Sequence, residues 1–266
     1  MKRIPTRELL DDDAGTPSEV AASLADLRFL NRYFGGVATT THMIQCVARA
    51  TGRRDFSMLE AAAGSGELPQ TVRARLQPAG INLRLIMLDR LFSHLGAQGP
   101  SGLAATTCAG SSGAQGPPGL AARTWAGSSE DGKNKVVGDA LALPFRDASF
   151  DLISCCLFVH HLAPELVSAF VKEALRCSRV AVLINDLIRH PVHWAMAHTG
   201  RLIYRSRITV NDAPASVRQS YTTEEMRAML EQSGAAAVDI STHYFYRMGA
   251  IVWKMPAANG RARPYV

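Results

Sequence analysis

Three groups of residues in this chain have types and spacings that chemistry can use. The first is Glu60, followed by Ala62, Gly64 and Gly66, in the run Met58-Leu-Glu-Ala-Ala-Ala-Gly-Ser-Gly-Glu67. It sets a carboxylate at the end of an apolar stretch and a Gly-x-Gly turn directly before a helical one. Such a turn lets a nucleotide-containing ligand approach the backbone closely, while the helix start presents free N–H groups. A Gly-x-Gly also occurs as a plain tight turn. The second group is a pair of acids after apolar runs. Asp89, with Arg90 beside it, follows residues 83–88, and Asp139 lies in Gly138-Asp139-Ala140. Asp89 is placed to accept both hydroxyl hydrogen bonds of a ribose, or simply to cap a helix, and Asp139 to accept from an adenine amino group. The third group holds His160 and His161, then Asp186, Arg189, His190 and His193. An unperturbed imidazole titrates near pH ~6.5 and can take a proton from a phenol or enol. An HHL sequence can equally cap and orient the helix that follows, and a solvated loop accounts equally for the residues after position 185.

The elements that must position these groups follow from periodicity. From position 57 onward, short apolar runs at 57–61, 83–88, 135–137, 150–155 and 180–184 alternate with helical stretches, which is the pattern of repeated βαβ units. Two more runs lie at 236–240 and 247–253. The expected fold is therefore α/β, a Rossmann-like, doubly wound, mostly parallel sheet of seven strands with helices on both faces. Ahead of it, Val20, Leu24, Leu27, Leu30 and Phe34 recur at helical spacing up to Gly35 and Gly36, and Met43, Ile44 and Val47 continue in a second helix. Residues 1–55 are thus expected to be a helical extension, either a packing appendage or a lid. Residues 56–256 would form the main domain and 257–266 a flexible tail. Apolar residues between 193 and 207 suggest core packing or a cover for a site. The stretch 221–234, with a Thr cap and early glutamates, reads as the last helix.

One segment breaks the rhythm. Residues 96–112 and 113–129 are near-identical copies that differ at Ser101/Pro118, Thr106/Arg123 and Cys108/Trp125. A Gly, Ala, Ser and Pro-rich repeat buries too little side chain to offset its ordering entropy, so 96–134 is expected to be a disordered insert between the second and third strands. The five cysteines, Cys46, Cys108, Cys155, Cys156 and Cys177, form no CxxC pair and no metal-ligand spacing with histidine, so neither a disulfide framework nor a metal is expected. The net charge of +6 has no basic stretch interleaved with aromatics behind it, which argues against nucleic acid. No apolar run is long enough to span a membrane, and a cytoplasmic monomer or homodimer is the expectation.

Taken together, the glycine turn, the strand-tip acids and the block GDALALPFRDASFDLISCCLFVHHL resemble the class I S-adenosylmethionine-dependent methyltransferase family. The likeness is to its ubiquinone and menaquinone biosynthesis subgroup, methyltransferase type 11/25, and runs from about Phe56 to Gly234 around the insert. The resemblance implies S-adenosyl-L-methionine as cofactor and S-adenosyl-L-homocysteine as product. It also implies that Glu60 holds the methionine amino group, that Gly64 and Gly66 make the close turn, and that Asp89 binds the ribose. Asp139 and Ala140 would frame the adenine, and Cys155 and Cys156 would lie beside the methionine portion. Ala62 stands where the family usually has glycine, which is tolerable if its φ is negative.

The acceptor implied is a small molecule, a phenolic or polyketide-like hydroxyl or a quinone-ring carbon. His160 or His161 would act as base, and Asp186, Arg189 and His193 would face the acceptor. Two alternatives stand beside this reading. An NAD-dependent Rossmann oxidoreductase lacks its Tyr-x-x-x-Lys or other hydride-transfer set here, and a non-catalytic S-adenosylmethionine-binding module would keep the fold without turnover.

Overall fold

The structure, a computed structural model, describes residues 1–12, 14–90, 106–107, 123–125 and 134–255. Its chain starts with a segment that lies across later elements, then forms helix α1 (Pro17–Tyr33) and helix α2 (Gly36–Thr51). Thr16 caps α1 in a reciprocal box with Glu19, and Gly35, at φ 87°, makes the break between the two helices.

The sheet contains β1 (Asp55–Ala61), β2 (Asn82–Asp89), β5 (Lys135–Val137), β6 (Phe150–Cys156), β7 (Ser178–Leu187), β8 (Ala237–His243) and β9 (Arg247–Trp253). Two short strands inside the insert, β3 (Thr106–Thr107) and β4 (Arg123–Trp125), extend it, and the order is β3-β4-β5-β2-β1-β6-β7-β9-β8. The five strands from β5 to β7 in that order are parallel, whereas β9 runs antiparallel between β7 and β8. The seven-stranded sheet expected from periodicity is present, with a mixed edge. β3 and β4 come from equivalent places in the two repeat copies and pair antiparallel, so these five residues are ordered where a loop was expected. Residues 96–105, 108–122 and 126–133 of the insert and the tail at 257–266 lie outside the described residues.

Helices cover both faces because the strands are apolar on both. One core joins Leu59, Ile153, Val182 and Val252 to α4 (Pro164–Cys177) and α7 (Thr223–Glu231). The other joins Met58, Leu152, Leu183 and Trp253 to α2 and α3 (Glu67–Leu76). Met43, Ile44 and Val47 of α2 are fully buried there, so α2 is a layer of the main core rather than an appendage before position 55. Helix α1 differs. Its buried residues are Ser23 and Asp26, and its leucines are only half covered.

After β7 come α5 (Pro191–Thr199) and α6 (Arg207–Gln219), the latter starting at a Ser206 cap. Asp26 of α1 accepts the backbone N–H groups of Arg205 and Ser206, which fixes α1 over the start of α6. The segment before α1 is tied to the same region. Asp212 accepts the N–H groups of Leu9 and Leu10, and Arg3 donates to the carbonyls of Gln219, His160 and Leu162. Among the described residues, no helix is long and apolar enough to cross a membrane.

Candidate active site

A cavity of about 880 Å³ opens at the C-terminal ends of β1, β2, β5 and β6, under α1, α5 and α6. This is where a doubly wound sheet leaves a crevice, because the connections diverge to opposite faces. At one end it is lined by Glu60, Ala62, Gly64, Asp89, Arg90 and the Gly138–Leu141 turn. Gly64 and Gly66 sit at φ 52° and 71°, a backbone conformation that favours glycine at both, and a Cβ on Gly66 would in addition meet the Met87 sulfur at 2.3 Å. The Gly64 N–H donates to Asp89 Oδ2 at 2.8 Å, tying the turn to the tip of β2. Asp139 Oδ1 accepts the Leu141 N–H at 2.9 Å, so this acid also shapes its own turn.

Glu60 is the most unusual group in the site. It is 1% exposed, its Oε2 has no hydrogen-bond partner, and burial pushes its pKa up to about 7. An orphaned carboxylate oxygen on a cavity wall is a feature that asks for a donor. Ala62 is a correction to the sequence expectation: its φ is +55°, in the left-handed region that costs an L-residue about 1–2 kcal/mol. The two cysteines also separate. Cys156 lines the cavity, whereas Cys155 is packed in the core on the other side of the strand, as the pleat requires of neighbours.

The other end of the cavity is lined by apolar side chains of α1, α5 and α6, among them Leu24, Leu27, Met196 and Val217. The leucines of α1 are half covered because they face this space and not a core. Arg247, at the start of β9, is 3% exposed and lines the cavity, with donors on the Phe34 carbonyl and on Asn31 Oδ1. His193 lies in the wall as well. Its Nδ1 faces the Ile188 carbonyl at 3.0 Å, so Nδ1 carries the proton and Nε2 the lone pair. Burial, only partly offset by that hydrogen bond, lowers its pKa to about 4, which makes it a neutral imidazole at ordinary pH.

His160 is the opposite case. Its Nδ1 is 2.6 Å from Asp186 Oδ1, its N–H donates to Asp186 Oδ2, and its Nε2 is 3.5 Å from Glu8 Oε1. Burial disfavours the charged ring, yet the charge and hydrogen bond of Asp186, followed by Glu8, raise its pKa to about 10. Glu8 and Asp186 are likewise held below their usual values despite burial, chiefly by His160. A ring held this way is poorly suited to receive a proton. His161 faces Asp11, with Nδ1 to Oδ2 at 3.0 Å.

Two of the residues expected to face an acceptor do not. Asp186 is buried against His160, and Arg189 donates to the carbonyls of Met1 and Ser220 and to Glu225. His190 stacks on Tyr246 away from the cavity. Conversely, Glu8, Asp11, Asn31 and Arg247 line the site without any motif to announce them, since each is brought there by long-range packing.

A family model described as a methyltransferase domain matches residues 118–181, about a quarter of the chain. The β5-β2-β1-β6-β7-β9-β8 order, with β9 antiparallel, is not the six-strand parallel order of dinucleotide-binding domains. Human N-acetylserotonin methyltransferase, solved in complex with S-adenosylmethionine, superposes with a TM-score of 0.51 at 14% identity, over 88% of this chain and 56% of that one.

The chain has the fold of this methyltransferase.

Two further solved methyltransferases also superpose. One from Aquifex aeolicus gives 0.46 at 13% identity over 79% of this chain and 88% of its own. The magnesium protoporphyrin IX methyltransferase of Synechocystis, with bound S-adenosylhomocysteine, gives 0.44 at 11% over 82% and 81%. The chain spans about half the length of several of the structures it matches. No curated protein matches its sequence. Within this methyltransferase fold, the glycine turn, Asp89 and Asp139 lie at the ends of the first three parallel strands, which is where the sequence motifs had set them.

Proposed function

We propose that this chain transfers a methyl group from S-adenosylmethionine to a small-molecule acceptor held under α1, with an acceptor hydroxyl as the favoured nucleophile. The observation that carries the reading is the single cavity that runs from Glu60 and the glycine turn to His193. What supports the cofactor is the fit of residues at the first end. The orphaned Glu60 Oε2 suits an ammonium group, Asp89 suits ribose hydroxyls, and the Gly64–Ser65 backbone leaves room for close approach. When bound, the cofactor supplies a methyl group on sulfur that is already activated as a leaving group.

The protein then has to align the acceptor and exclude water, which accounts for most of the acceleration such a displacement needs. Leu24 and Leu27 of α1, with Met196 and Val217, provide the dry walls. His193 Nε2 accepts the hydrogen bond of the acceptor O–H and takes its proton as the new O–C bond forms. His193 replaces His160 in the role of base because it is neutral, whereas His160 is committed to Asp186. A ring-carbon acceptor loses its proton from carbon only after the new bond has formed, whereas a neutral base on the cavity wall suits a hydroxyl that gives up its proton as it attacks, which is why oxygen is the favoured nucleophile.

The test is turnover of labelled S-adenosylmethionine with a panel of phenols, hydroxylated polyketides and hydroquinones. Label transferred to the oxygen of a panel member is the expected result. Tight cofactor binding with no transfer across the panel would favour the non-catalytic module, and binding of NAD in its place would overturn the assignment.

A further inference from the structure

The geometry points to a divalent transition-metal site in the acceptor end of the cavity wall, with Glu8, His160 and His161 as its protein ligands. One donor atom from each of the three lies within 4.8 Å of the others, although Glu8 belongs to the segment before α1 and the histidines to the turn after β6. The distance from His160 Nε2 to Glu8 Oε1 is 3.5 Å. That is longer than the ~2.7–2.9 Å of a charge-assisted hydrogen bond. It is close to the ~3.4 Å that separates two ligands bound tetrahedrally to one ion at ~2.1 Å.

An ion would take the place of the Nε2 proton that His160 holds in its absence, because a ligating ring nitrogen must be deprotonated. Metal-bound histidines commonly give their other ring nitrogen to a carboxylate, which fixes the ring and raises its basicity. Here Asp186 takes Nδ1 of His160 at 2.6 Å, which leaves Nε2 of that ring facing Glu8, and Asp11 takes Nδ1 of His161 at 3.0 Å. Ser216 Oγ and Gln219 Nε2 each donate to Glu8 Oε1 at 2.6 Å, so the carboxylate is oriented as well. Three carboxylates thus surround two imidazoles. Of the nearby arginines, Arg3 has its guanidinium on backbone carbonyls, and Arg90 acts on Asp11.

A two-histidine, one-glutamate set with nitrogen and oxygen donors selects zinc or a neighbouring first-row ion over calcium or magnesium. The three ligands all line the cavity, so the remaining coordination positions open onto it. An oxygen donor there, the acceptor hydroxyl, would be polarised by the ion. That last step rests on the methyl-transfer reading; the metal site itself does not. The ion would also clip the first residues of the chain to the sheet, because Glu8 is the ligand they contribute.

The experiment uses the full chain, stripped with a chelator and without cofactor. Cobalt(II) uptake is followed by visible d–d absorption and zinc binding by calorimetry. One equivalent is expected to bind, with cobalt bands of four- or five-coordinate intensity. His161→Ala and Glu8→Gln are each expected to weaken binding at least tenfold, and Asp186→Asn by about 10–100-fold through the orientation of His160. His161 is 22% exposed, so its truncation leaves the core intact, and far-UV circular dichroism verifies each variant. Zinc is expected to raise the melting temperature of the wild type but not of Glu8→Gln. No saturable uptake below about 100 µM, or equal affinity in wild type and His161→Ala, would overturn the site. Because uptake is read in the absence of cofactor, its failure is distinct from a failure of methyl transfer.

Discussion

Replacing Glu60 with Gln separates what this residue does for the fold from what it does for a ligand. The carboxyl is buried and its pKa is raised from 4.5 to about 7. At about 1.4 kcal/mol per tenfold change in proton affinity, the ionised form costs the native state about 3 kcal/mol. The sign follows from proton counts. Below pH 4.5 the group is protonated in both folded and unfolded chains and contributes no pH dependence. Between 4.5 and about 7 the unfolded chain releases its proton while the folded one keeps it, so stability falls as pH rises, and the full penalty is present above 7.

Glutamine keeps the shape and has no such titration. Urea unfolding should therefore show Glu60→Gln close to wild type at pH 4 and more stable by about 2–3 kcal/mol at pH 8. Calorimetry with S-adenosylhomocysteine should show the reverse in binding. Loss of a charged hydrogen bond to an ammonium is worth about 1.5–3 kcal/mol, or roughly 10–100-fold in Kd. Wild-type affinity should also rise with pH through 7, because the ammonium requires the ionised carboxylate. If Glu60→Gln is no more stable at pH 8 than at pH 4 relative to wild type, or binds S-adenosylhomocysteine equally well, the argument from the orphaned carboxylate fails.

Other substitutions probe the remaining parts of the site. Ala62→Gly removes a left-handed alanine and is expected to add about 0.5–1 kcal/mol in chemical denaturation, after the gain in unfolded-chain entropy is subtracted; a loss of stability would contradict the positive φ. Asp89→Ala takes away the acceptor of the Gly64 N–H together with the proposed ribose contact, and should weaken S-adenosylhomocysteine by about 10–100-fold in the same calorimetric assay. With an acceptor in hand, His193→Phe should lower kcat by about 10²–10⁴-fold without altering cofactor affinity, and unchanged turnover would remove it as the base. Arg189→Met breaks a buried guanidinium from two carbonyls and from Glu225, and is expected to cost about 2–3 kcal/mol of stability. Methyl transfer should survive; a selective loss of acceptor affinity would restore Arg189 to the acceptor site.

Which parts of this were legible beforehand depends on the range of the interactions involved. The strands of the parallel sheet, the capped helices and the glycine turn are local features, set by side-chain periodicity, capping chemistry and backbone freedom within a few residues. Thr222 and Glu225 close a capping box around the start of α7, and Gly64 and Gly66 take left-handed φ values, just as their residue types demand. Placing Glu60, Asp89 and Asp139 at one edge needed only the rule that parallel strands end on the same side.

Side-chain direction and long-range contact needed the tertiary structure. Adjacent Cys155 and Cys156 look equivalent in sequence, and the pleat sends one to the core and the other to the cavity. Asp186 lies at the end of one strand and Arg189 and His193 follow it, yet of these three only His193 reaches the cavity, because Asp186 turns toward His160 and Arg189 toward Glu225. Nothing near His160 in the chain says that it is charged. That state is imposed by Asp186 from the neighbouring strand and Glu8 from the first residues of the chain. Short-range stereochemistry thus determined the elements and the edge where the motifs meet. The protonation of His160, the strain at Ala62 and the ring of carboxylates were decided by packing, because electrostatic energy depends on distance in space and not along the chain.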